Sequence, residues 1–194
     1  AAWQSAEEIA FEFPWNDVTM EPAQSTIARM LYDDTALYLL YECVDPYIDA
    51  EVTDKDGPVW EEDAVEIFVT PNPDNVTAYF GYEMNANGTF LDYLAFKGGE
   101  HSTENIHFEW ESEGVEIRTT LDGTMNDHSD VDRGWVLEMK IPLENFRHLK
   151  GSIPPKPGDM WRLNLNRTRG DKGQFSIWSD TGSEKASFHH SAFF

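Results

Sequence analysis

Apolar and polar residues alternate in short runs along most of this chain. From Ala64 to Thr70 they put Val65, Ile67 and Val69 on one face and Glu66 and Phe68 on the other, the two-residue period of a β-strand. The same rhythm recurs at Thr26 to Leu31, Ala36 to Val44, Ala78 to Met84, Thr89 to Phe96, Val115 to Leu121, Trp135 to Ile141, Trp161 to Thr168 and Gln174 to Trp178, predicting about nine strands. Turn chemistry separates them. Tyr32-Asp33-Asp34-Thr35 is a tight hairpin connection, Asn85-Ala86-Asn87-Gly88 supplies an Asn-Gly step for positive φ, and Pro71-Asn72-Pro73 stops a ladder. The one helix candidate, Leu143 to Leu149 after Ile141-Pro142, is too short to stand without packing. The segments Asp122 to Arg133 and Lys150 to Asp159 lack periodicity and read as surface loops. Consecutive hairpins with little helix predict an all-β fold, two antiparallel sheets packed as a sandwich.

Composition narrows the class further. The 194 residues suit a single domain spanning 1–194, large enough for a real core. With 14 basic and 36 acidic residues the formal net charge is -22, which repels nucleic acid phosphates and anionic lipid surfaces, so neither nucleic acid nor membrane is an expected partner. The acidic excess also offers oxygen ligands for a hard cation such as calcium, although solvated surface has the same composition. Cys43, the only cysteine, lies in the apolar run from Leu37 to Val44 and reads as a buried core residue. No apolar stretch reaches membrane-span length. The chain opens at Ala1-Ala2 without a signal-like region, so it reads as a mature or excised segment whose expected setting is secreted or extracellular.

The chemistry begins at Val59-Trp60-Glu61-Glu62-Asp63-Ala64-Val65-Glu66, where an aromatic platform and a strand-borne carboxylate meet at the mouth of a strand. A pyranose has an apolar C–H face that packs on an aromatic ring and a rim of hydroxyls that needs charged or amide partners. The plain alternative is a rim Trp filling a hole beside a solvated Glu. In Trp161 to Thr168 one face carries Trp161, Leu163 and Leu165, and the other Arg162, Asn164, Asn166 and Thr168, a hydrogen-bonding shelf. Tyr79, Glu83 and Asn85 form a similar row, and Glu83 and Asn164 stand central in their strands. A polar strand face is also the ordinary state of a half-solvated antiparallel sheet. Trp178, at a strand end before Ser179-Asp180-Thr181-Gly182, mirrors the placement of Trp60, and two such indoles across a slot would clamp a sugar ring on both faces.

Together, Thr26-Ile27-Ala28-Arg29, Leu37-Tyr38-Leu39, Trp60 through Phe68, Asn85-Ala86-Asn87-Gly88-Thr89, Trp135 with Ile141-Pro142, Trp178 and the ending Phe188-His189-His190-Ser191-Ala192-Phe193-Phe194 resemble family 9 carbohydrate-binding modules over nearly the whole chain. The resemblance implies a β-sandwich of jelly-roll type, structural calcium, and a slot between two Trp rings for the terminal sugars of glucans, xylans or related glycans. It also implies a module that is tethered to a catalytic domain or free-standing. Carried over residue by residue, it places Trp60, Glu66 and Trp178 in the slot; Arg162, Asn164 and Glu83 join them by face and position. For calcium, Asp33-Asp34, Asp45 with Asp49, and Asp54 with Asp56 lie in acidic loops of the right kind, with Asp54 and Asp56 the chosen pair, since clustered acids repel unless a cation screens them.

Two other classes are weighed against this. Glycoside hydrolysis needs two positioned carboxyls, which Glu62 with Glu66 or Glu66 with Glu83 could supply, but neither lies in a catalytic signature. There is also no Gly-x-Ser-x-Gly. A haem-binding electron-transfer domain of similar sandwich build would need a Met and a His as axial ligands, such as Met84 with one of His101, His107, His148, His189 or His190. The expected function is non-catalytic carbohydrate binding.

Overall fold

The computed structural model describes residues 2–15, 24–75, 77–96, 106–169, 174–190 and 194. In chain order the strands among them are β1 (Ile9–Ala10), β2 (Thr26–Tyr32), β3 (Ala36–Val44), β4 (Asp63–Thr70), β5 (Ala78–Asn85), β6 (Phe90–Phe96), β7 (Ile106–His107), β8 (Glu116–Asp122), β9 (Gly134–Pro142), β10 (Arg162–Arg169) and β11 (Ser176–Ile177). They form a five-stranded sheet in the order β1-β2-β3-β9-β8 and a six-stranded sheet in the order β11-β10-β4-β5-β6-β7. Every pairing is antiparallel. The chain crosses between sheets after β3, β7 and β9, giving the expected β-sandwich.

The alternation seen in the sequence sets the layers. Val65, Ile67 and Val69 of β4 and Phe80, Tyr82 and Met84 of β5 meet Leu39, Tyr41 and Cys43 of β3 and Trp135, Leu137 and Met139 of β9 in the core between the sheets. Each fully buried aliphatic side chain there contributes about 1.5–3 kcal/mol relative to exposure. The opposite face of the six-stranded sheet is not half-solvated. Phe68, Tyr79, Leu91, Tyr93 and Ile177 project from it into a second apolar cluster closed by Trp15, Val59 and Phe188, so β4 and β5 are buried along their whole length.

Four elements differ from the sequence reading. β1 and β7 have two residues each, too few to show a period. The predicted helix is a single 3-10 segment, Leu143–His148, packed by Phe146 against the core. The Asp122–Arg133 loop is pinned to its neighbour: buried Asp132 accepts from the Ile48 and Thr124 amides at 3.0 and 2.7 Å, and the Asn126 amide bonds both the N–H and C=O of Ala50 at 2.8 and 3.1 Å. Near the start, residues 9–12 step from one sheet to the other. Phe11 N–H donates to Thr26 C=O, and Glu12 exchanges two backbone hydrogen bonds with Ile177 of 2.8 and 3.0 Å.

Polar residues intrude on the inner side at one rim. Arg167 Nη2 lies 2.8 Å from Asp45 Oδ2, while Nη1 donates to the carbonyls of Val44 and Gln24 and to Thr26 Oγ1. The guanidinium also sits 5.9 Å from the Trp135 ring centroid. Asp45 takes further bonds from Gln24 Nε2 and Tyr47 N–H, and next to it Arg169 Nε pairs with Asp63 Oδ1 at 3.2 Å. All four charged groups are at most 3% exposed. Burial, followed by repulsion from Asp45, pushes the Asp63 carboxyl up to about 7 despite the two arginines.

Removing one member of such a pair strands the other charge in the interior, at a cost of about 3–5 kcal/mol, whereas removing both is far milder. Arg167→Met is therefore expected to lower stability by that amount in urea melts, and Asp45→Leu with Arg167→Met to recover much of it. A double variant no more stable than the single one would show that the pair is not coupled in this way.

Candidate functional site

Trp60 stands on a single 3-10 turn, Val59–Glu61, that feeds β4; Val59 is its buried plug and the indole is 42% exposed. The turn is fixed from both sides. Trp60 C=O accepts from Thr168 Oγ1 at 3.2 Å, and Glu62 accepts from the Glu51 and Val52 amides and from Asn85 Nδ2. Trp178 follows β11, is 39% exposed, and donates its N–H to Leu165 C=O at 2.9 Å. Asn164 secures the loop beyond it, accepting from Ser179 N–H at 3.0 Å and donating to Ser179 C=O at 2.9 Å. Both indoles are thus anchored through their backbones to β10, three residues apart, roughly 10 Å along the strand.

The polar shelf read from the sequence exists, but its groups are engaged internally. Asn164 and Thr168 hold the two Trp-bearing loops, and Asn166 Nδ2 donates to Glu66 Oε2 at 3.2 Å. Arg162 Nη1 reaches Phe194 C=O at 3.4 Å. The signal for Asn166 and Thr168 as positioning residues was their shared face with Asn164; what each one holds depends on strand pairing that no local pattern reveals.

Glu66 and Glu83 face each other in register on β4 and β5 and are 3% and 5% exposed. Tyr93 O–H donates to Glu83 Oε1 at 2.9 Å. It can do so because its ring crosses over Gly81, where an added Cβ would lie 2.2 Å from the ring. Burial pushes both carboxyls up, Glu83 to about 7 and Glu66 well above the ordinary range with Glu83 repulsion adding to it; the donations from Tyr93 and Asn166 pull the other way. His189 lies over this face, stacked on Phe68 at 4.8 Å between centroids, with Nδ1 2.7 Å from the Tyr79 hydroxyl. Phe194 packs edge-on to Tyr79 at 5.1 Å. Sequence reasoning placed the two glutamates correctly on one face and missed this cover, which local periodicity does not encode. Of its terminal segment, Ser191, Ala192 and Phe193 lie outside the described residues.

Beside Trp60, a cleft of about 460 Å³ is lined by Asp49, Glu51, Glu61, Glu62, His128 and Arg169, among others. Of the acids chosen for calcium, Asp56 joins Asp92 and Glu111, with ligand oxygens all within 4.8 Å of one another; Asp54 is not in the group. The Lys55 ammonium sits among them, 2.8 Å from Asp92 Oδ1 and 3.0 Å from each Asp56 oxygen. That cage already holds a cation and does not fit a calcium ion as it stands. The Met84–His189 pair of the haem alternative is also separated. Met84 is buried between the sheets while His189 lies on the far face of the same sheet, and His101 lies outside the described residues.

The chain matches the model of the carbohydrate family 9 binding domain-like family across residues 1–194, and it belongs to that family. Among solved structures it is similar to a "putative carbohydrate-binding protein" from Bacteroides uniformis, with a TM-score of 0.78 and 22% identity over 98% of this chain and 85% of that one. It is also similar to a family 9 carbohydrate-binding module from Caldicellulosiruptor kristjanssonii in complex with cellotriose, with a TM-score of 0.61 and 16% identity over 94% and 77%. The glucose complex from the same organism gives 0.59 and 17% over 94% and 78%. No curated protein matches the chain.

Raised carboxyl values have a definite sign in stability. The folded state holds its proton more tightly than the unfolded one, so Glu83 contributes a decline in stability as pH rises from the ordinary Glu value to about 7, and Glu66, raised well above its ordinary value, contributes with the same sign. Glu83→Gln should flatten this decline by something on the order of 1–3 kcal/mol across that window. Asp63 and Glu66 titrate with the same sign and set the residual slope. Denaturant melts of both proteins at several pH values measure it; parallel profiles would show that Glu83 ionises normally.

Proposed function

We propose that this chain is a non-catalytic carbohydrate-binding module that holds a sugar ring of a glucan, xylan or related glycan between the indoles of Trp60 and Trp178. One observation carries the reading: in a family 9 fold, two half-exposed indoles stand on loops anchored about 10 Å apart along β10. A pyranose stacked on both faces needs two contacts of about 3.5–4.0 Å each, so rings leaning from such anchors can flank a single sugar. Glucose and cellotriose, which occupy the Caldicellulosiruptor modules, are the first ligands to try. Glu66 lies beneath the His189 cover, and its part in binding is to hold Asn166, and with it the strand that carries both loop anchors.

The non-catalytic reading is supported by the state of the carboxyls. Glu66 and Glu83 are directly opposed and buried, 3% and 5% exposed beneath the His189 cover, whereas hydrolysis needs two carboxyls that reach a glycosidic bond and a water. Both oxygens of Glu62 are taken by N–H donors. In this reading the module works outside the cell and delivers a catalytic domain to its substrate.

Calorimetry with glucose, cellotriose and xylotriose tests the slot. Trp60→Ala and Trp178→Ala are each expected to weaken binding by tenfold or more, about 1.4 kcal/mol, as loss of an aromatic anchor does, with melting temperatures close to wild type because the rings are half-exposed. Glu66→Gln keeps the Asn166 contact and is expected to bind nearly normally. A folded Trp60→Ala, Trp178→Ala double variant with full affinity would remove the slot from consideration.

A further inference from the structure

The acids at the Lys55 corner come from three separate parts of the chain. Asp56 lies in the loop before Val59, Asp92 is central in β6, and Glu111 follows β7. Asp92 is fully buried, and while one of its oxygens meets Lys55, the other accepts from Ser112 N–H at 2.6 Å. The Asp56 backbone is left-handed at φ 64°, and its N–H bonds Phe90 C=O, so the turn is tied to the start of β6. Lys55 is ion-paired to all three carboxylates at once and lies 5.1 Å from the Phe90 ring centroid. Its side chain is still 37% exposed, leaving a path from solvent to the cage.

Three converging carboxylates against a single positive charge leave net negative charge around a buried Asp. Converging carboxylates also suit a hard cation, which takes six to eight oxygens at about 2.3–2.6 Å. Here the oxygens stand 2.8–3.0 Å from the Lys55 nitrogen for Asp92 and Asp56, the spacing of ammonium hydrogen bonds. Independently of the glycan reading, we propose that the Lys55 ammonium serves as a built-in cation that replaces a divalent metal at this corner. Asp56, Asp92 and Glu111 are then a latent calcium site held shut by the lysine. The corner is joined without metal, and removing the ammonium opens the site.

The test uses the whole chain as wild type, Lys55→Met, Lys55→Gln, Asp92→Asn and the Lys55→Met, Asp92→Asn double variant. Each is melted in excess chelator and in millimolar calcium and titrated with calcium chloride by calorimetry. Both lysine variants are expected to melt below wild type in chelator, to recover with calcium, and to gain a binding isotherm that the double variant lacks. A lysine variant that folds only with calcium gives the same answer. Calcium binding elsewhere on the wild type would persist in Asp92→Asn and leaves the proposal standing. It is overturned if folded Lys55→Met or Lys55→Gln ignores calcium, if neither folds even with calcium, or if wild type binds calcium in a way that Asp92→Asn abolishes.

Discussion

The Arg167–Asp45 pair is the constraint on which the rest of the molecule depends, because it fixes how the two sheets meet at the rim where the candidate site is built. Asp45 directly follows β3 of one sheet and Arg167 belongs to β10 of the other. A guanidinium in a nearly dry environment is costly to bury unless its donors are satisfied, and three backbone or hydroxyl oxygens join Asp45 in satisfying them. The geometry is therefore specified from several directions at once, which an apolar contact of the same area would not achieve.

β10 carries that constraint into the site. Its odd positions Leu163, Leu165, Arg167 and Arg169 face inward, first to the core and then to the buried acids. Its even positions Asn164, Asn166 and Thr168 hold, in turn, the loop after Trp178, the buried Glu66 and the turn bearing Trp60. The two indoles are consequently placed by one rigid strand, itself flanked by β4 and β11, and so are held more firmly than their loop positions suggest.

Much of this was legible in the sequence. The period at Val65, Ile67 and Val69, the Asp33 and Asn85 turns and the polar face of residues 162–168 gave the strands, their facing and the family resemblance. The covered face was not legible, since its lid is assembled from Trp15, Val59 and Phe188, residues far apart in the chain with no shared period. The ionic rim left a faint trace: Arg167 and Arg169 continue the face of Leu163 and Leu165, a conflict of polarity that marks a buried partner. The role of Lys55 left none. Between Asp54 and Asp56 it looks like ordinary surface charge, and only the approach of Asp92 and Glu111 from elsewhere gives it a function.

The step of residues 9–12 from one sheet to the other has a consequence for how these molecules tolerate crowding. By pairing with β2 at Ile27 and Ala28 and then with Ile177, this segment covers part of the border on one flank of the sandwich. The opposite flank ends in β7, only two residues long, and in β8, whose Glu116, Arg118 and Asp122 put charges along the border. Short or charged borders are poor templates for a strand from another molecule. On the proposed glycan-binding reading this matters, since neighbours brought side by side by a shared polymer meet short or charged borders there, which are slow to extend into a fibril.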